Sequence, residues 1–110
     1  MIIKKLNRKF RPSKKSKVTI TERAKIYLKN DEQITLIDYK KNQYDIVKKS
    51  WGYYSTPSIN KRLKKNNYLA CIVENVEKKT FFLFLVNTKK KVDFNKYIKI
   101  NKIKVIKWLK

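Results

Sequence analysis

Apolar residues are densest at 80–87, where Phe81-Phe82-Leu83-Phe84-Leu85-Val86 run without a polar break. Six residues are far too few to cross a bilayer, which takes about 20, so the run reads as a strand. A second apolar segment, 68–74, lies just before it, and the charged stretch 75–79 makes the turn between them. Both segments are nearly continuously apolar, the pattern of central strands covered on each side. Ahead of them, 34–39 and 44–47 are rich in β-formers and separated by the polar Lys40-Lys41-Asn42-Gln43, so 33–50 reads as a hairpin.

Other segments carry helical spacing. Thr56 followed by Pro57 has the chemistry of an N-cap and first helical residue, and Ile59 and Leu63 lie four apart, which predicts a helix over 57–65. Asp93 is the expected cap of a second helix carrying Phe94, Tyr97 and Ile98 on one side. The segment 103–109 reads as a closing strand with Trp108 as its large apolar block. At 18–30 two periods compete. Thr19 and Glu22 have capping-box spacing with Ile20, Ala24, Tyr27 and Leu28 at helical intervals, whereas Val18/Ile20 and Ile26/Leu28 alternate. The preferred reading is a short helix or a helix-to-strand corner. The fold class expected is α+β, a single small domain at 18–110 with a four- or five-stranded, mostly antiparallel sheet and two helices in the order β-β-α-β-β-α-β.

Charge changes this picture more than length does. The chain holds 30 basic and 8 acidic residues, a net charge of +22. Residues 1–17 contribute eight bases and no acid, so they read as a basic, disordered arm, with Ile3, Leu6 and Phe10 available to line a short helix before Pro12. Part of the excess is compositional. Lys, Asn, Ile, Tyr, Phe and Met supply 62 residues against 9 of Gly, Ala, Arg and Pro, the bias of an AT-rich genome. That bias explains why 26 of the bases are Lys but not why acids are so few. The sign of the charge therefore points to a polyanionic partner. Three residues kept against the bias, Trp51, Gly52 and Pro57, cluster in one short segment.

Most enzyme chemistry is missing. There is no histidine, one cysteine and one glycine, so the common general base, paired-thiol metal sites and phosphate-cradling glycine loops are all excluded. The carboxylates are scattered, and Cys71 lies among apolar neighbours like a small buried side chain. No catalytic residue, metal or cofactor is expected. Lacking a secretory pattern, the chain is expected in the cytoplasm, or in an organelle matrix.

The candidate site is an anion- or nucleic-acid-binding one. Trp51, Gly52, Tyr53, Tyr54, Ser55, Thr56 and Ser58 offer aromatic faces, hydroxyls and a helix start. Lys61, Arg62, Lys64 and Lys65 follow on the helix, and Arg8 and Arg11 lie in the arm. The structural alternative is that Gly52 makes a bend, Thr56 a cap, and the aromatics a core.

The stretch Trp51-Gly52-Tyr53-Tyr54-Ser55-Thr56-Pro57-Ser58-Ile59-Asn60, with Arg62-Leu63, resembles small uncharacterised bacterial proteins with a W-G-Y-Y-x-T-P-S-x-N-x-R-L segment; the likeness spans 30–109. It implies that the excess lysine here is compositional drift, because such proteins are less basic. Two functions follow. One is a basic module binding nucleic acid, RNA in preference to DNA, or a ribonucleoprotein, through phosphate contacts. The other is an accessory protein holding a protein partner or anionic metabolite at Trp51–Ser58. Membrane-surface docking through the arm ranks last, and the oligomeric state is open.

Overall fold

A computed structural model describes residues 1–14 and 17–110; Lys15, counted above in the basic arm, lies outside the described residues. The chain is α+β and mostly antiparallel, with two α-helices. Among the described residues it has eight strands in three sheets rather than four or five in one. It forms two compact units, one of residues 1–36 and 45–55, the other of 37–44 and 56–110. No helix among the described residues is long and apolar enough to cross a membrane.

The first unit opens with strand β1, Ile2–Phe10, paired antiparallel with β2, Ile20–Tyr27. Both helical expectations fail here. Ile3 and Phe10 share one face of a strand and meet Ile26 and Ile20 across the ladder, so the alternating period of 18–30 wins over the capping-box spacing. Glu22, instead of closing a capping box with Thr19, accepts from the Arg8 guanidinium across the strands at 2.8 Å. A bulge sets Leu6 and Asn7 opposite Arg23.

Strands β3 (Gln33–Ile37), β4 (Gln43–Lys49) and β5 (Gly52–Ser55) form the second sheet in chain order. The hairpin at 33–50 is as expected, and β5 is an additional strand built from the candidate segment itself. Gly52 begins it with φ +143°, a conformation side-chain-bearing residues rarely adopt. Among the described residues of this unit, Val47 is its only buried apolar side chain.

The second unit holds the main core. Strands β6 (Tyr68–Asn75), β7 (Thr80–Asn87) and β8 (Ile103–Leu109) form a sheet in the order β7-β6-β8. Cys71 and Val73 of the central strand are fully buried, with Val86 beside them. Helix α2, Lys91–Ile100, covers that face: Phe94 meets Phe84 at 6.3 Å and Trp108 at 6.0 Å, both edge to face. Such aromatic pairs add about 1 kcal/mol each beyond the area they bury. The helix starts at Lys91, after a 3-10 turn at Thr88–Lys90 capped by the Asn87 side chain, so Asp93 lies in its first turn instead of capping it.

Of the two apolar segments expected as central strands, β6 alone lies between two others. β7 is an edge, and Phe81, Phe82 and Leu83 remain largely exposed. The expected helix at 57–65 shrinks to α1, Arg62–Lys65. Pro57 and Leu63 are buried there while Ile59 is exposed, so the chain approaches α1 as a turn and not as an amphipathic helix.

Candidate nucleic-acid interface

The residues singled out from the sequence fall into both units. Trp51 to Ser55, Arg8 and Arg11 belong to the first; Thr56, Ser58, Lys61, Arg62, Lys64 and Lys65 belong to the second. In the second unit the amides of Lys61, Arg62 and Leu63, at the start of α1, are already used. The Ser58 carbonyl accepts from Lys61 N–H and Leu63 N–H at 3.3 and 3.1 Å, and Ser58 Oγ accepts from Arg62 N–H. Thr56 does not cap a helix. Its Oγ1 accepts from the Arg62 guanidinium at 2.6 Å, which ties both groups into local structure. Lys61, Lys64 and Lys65 remain exposed.

In the first unit the aromatics of the segment are on the surface, not in a core. Trp51 is 69% exposed and stacks on Tyr54 with ring centres 6.1 Å apart and planes 18° off parallel. Tyr53, opposite Lys48 in the β4–β5 ladder, has the Lys48 ammonium 5.4 Å from its ring centre. That contact places a cation over one face of the exposed ring.

The β1–β2 ribbon contributes residues that sequence reasoning passed over. Directly opposed residues share a face, and residues two apart share it along a strand. One face therefore carries Arg8, Glu22, Lys5 and the Phe10–Ile20 and Ile3–Ile26 pairs. Arg8 is neutralised there by Glu22, whose carboxyl is held below its usual range by that hydrogen bond, and it stacks 4.5 Å above the Phe10 ring. The other face carries Lys4, Lys9, Arg23 and Lys25 with exposed Tyr27, and no carboxylate. Lys4 and Lys25 are direct cross-strand partners, with Cβ atoms about 5 Å apart in such a pair. Reading 20–27 as a strand would have exposed this face, since Thr21, Arg23, Lys25 and Tyr27 alternate with Ile20, Glu22, Ala24 and Ile26.

Elsewhere, the Cys71 thiol is pushed up by burial and sits in the core, away from nucleophilic use. No cluster of metal-ligating side chains occurs among the described residues. The second unit has a groove of about 480 Å³, lined by β7 and α2 and containing none of residues 51–58. No family model, curated protein or solved structure matches the chain.

Proposed function

We propose that this chain is a non-catalytic basic module that binds nucleic acid, RNA in preference to DNA, through phosphate contacts. The observation that carries this reading is the acid-free face of the β1–β2 ribbon, with Lys4 directly opposite Lys25. Like charges in that position destabilise a strand pair, and phosphates laid along the face convert the repulsion into attraction while releasing counterions. The preference for RNA rests on Trp51, Tyr53 and Tyr54, whose exposed rings suit unpaired bases, the form in which RNA is commonly read.

The test is binding of a generic single-stranded RNA and of duplex DNA across a salt series, with the native chain and a Lys4→Gln, Lys9→Gln, Lys25→Gln variant. Each lost phosphate contact should reduce the slope of log affinity against log salt by about 0.7 on single strands. A variant slope lower by about 2, with affinity reduced alike for all sequences, supports the reading. An unchanged slope sinks it and turns attention to a protein or metabolite partner at Trp51–Ser58.

A further inference from the structure

The two edges of the β7-β6-β8 sheet are built differently. β8 carries Lys104 and Lys107 and a register shift against β6, features that discourage another strand from pairing there. β7 has none of these. Between Thr80 and Asn87 it holds no Lys or Pro, and its register with β6 is unbroken. The Thr88 N–H donates to the Asn67 carbonyl, which continues the ladder and sets its phase. By the alternation of antiparallel pairs, the N–H and C=O of Phe81, Leu83 and Leu85, and the N–H of Asn87, then point away from β6 along the open edge, while the Asn87 C=O begins the 3-10 turn.

A groove runs beside this edge, with Phe84 and Leu85 on the strand side, Phe94 and Tyr97 on the helix side, and Lys90 and Asp93 at its lining. An unpaired ladder next to an apolar groove is the combination that takes an extended segment by strand addition. The backbone supplies affinity, and alternate side chains enter the groove. The ends of the edge are basic, with Lys78 and Lys79 before it and Lys89 and Lys90 after it, against the single carboxylate of Asp93 in the groove; Lys91 lies instead over the Trp108 ring of β8.

We propose that β7 and the β7–α2 groove form a docking site for an extended segment of an acidic protein, which adds as a fourth strand with apolar residues in the groove and carboxylates at the flanking lysines. A second copy of this chain fits less well. It would bring a chain of net charge +22 against the same basic ends, with no acidic run to meet the flanking lysines. This site is independent of the nucleic-acid reading.

The probe is a synthetic peptide of alternating valine and threonine with glutamates at both ends. Its control has the same charge but prolines at its centre, so it is attracted equally to a basic protein yet cannot form a strand. At physiological salt the strand peptide should bind about tenfold tighter or better than the control. Amide exchange of Phe81, Leu83, Leu85 and Asn87 should slow when it is added to the native protein. Leu83→Pro removes an outward N–H at an exposed edge position and should abolish the tenfold difference. Equal binding of the two peptides, or no added protection at those four amides, overturns the proposal whether or not the variant folds. A concentration-dependent dimer in sedimentation, lost in Leu83→Pro, overturns it in favour of a second copy.

Discussion

The Tyr68 hydroxyl donates a 2.7 Å hydrogen bond to Asp38 Oδ2, joining the first residue of β6 to a turn thirty positions earlier in the chain. Asp38 also accepts from the backbone N–H groups of Lys40 and Asn42, so one carboxylate organises the whole turn. The Tyr68 bond, with those of Asn42 and Lys40, holds the Asp38 carboxyl below its usual value, and the same bond raises the phenol of Tyr68. A depressed carboxyl contributes stability above its unfolded value, near pH 4, and loses it as pH falls through the folded value. The raised phenol contributes below about pH 10 and loses its share as pH rises through its folded value. Tyr68→Phe should therefore lower the melting temperature by a few degrees at pH 7. The deficit should shrink as pH falls below about 4, where the unfolded carboxyl takes up protons before the native one, and again above about pH 10, where the unfolded phenol ionises first. A deficit constant across the whole range would mean that the hydroxyl acts only through packing.

Lys25→Glu separates stability from function on the basic ribbon. A carboxylate opposite Lys4 replaces a repulsive cross-strand pair with an attractive one, worth about 0.5 kcal/mol. The variant should melt slightly higher than the native protein while binding RNA more weakly and with a shallower salt slope. Thermal melting and a titration at two salt concentrations check both halves. A variant that is both less stable and equally good at binding would show that the ribbon face is not the phosphate track.

The elements were legible in the sequence where one signal dominated. The apolar density of 68–74 and 80–87, the β-rich runs around Lys40-Lys41-Asn42-Gln43 and the closing Trp108 segment all formed the strands their composition favours. Thr56-Pro57 misled, because a cap followed by proline describes a helix start locally. The burial of Pro57 and the bond between Thr56 and Arg62 instead make that stretch a tertiary turn. At 20–27 helix and strand periods were nearly balanced, and pairing with β1, which no local pattern encodes, decided between them. The basic face depended on that decision. Lys4, Lys9, Arg23 and Lys25 converge only once 20–27 is a strand in register with 2–10.

Gly52 should be intolerant of substitution for a conformational reason alone. Its φ is +143°, yet a Cβ added there would meet nothing within 4 Å. Gly52→Ala should thus cost about 1 kcal/mol or more through backbone strain, with no steric clash to relieve. The first unit has Val47 as its only buried apolar side chain among the described residues, so the loss should be felt there first. Amide exchange should quicken in β4 and β5 while the Cys71 and Val73 amides of β6 keep their protection. Uniform loss of protection throughout the chain would mean that the two units unfold as one.

Trp51 offers the sharpest check on what the exposed aromatics do. It is 69% exposed and backed by Tyr54, whereas Trp108 is half-buried against Phe94. A soluble quencher should therefore reach Trp51 far more readily, and single-stranded RNA should protect it by stacking. Trp51→Ala should weaken single-stranded RNA binding by about tenfold, within the ~1–3 kcal/mol that one stacked base is worth. Because the substitution removes no charge, the salt slope should stay as it is, and binding to a duplex, whose bases are already stacked, should barely change. Equal losses on single strand and duplex would assign Trp51 to holding β5 in place, not to reading an unpaired base.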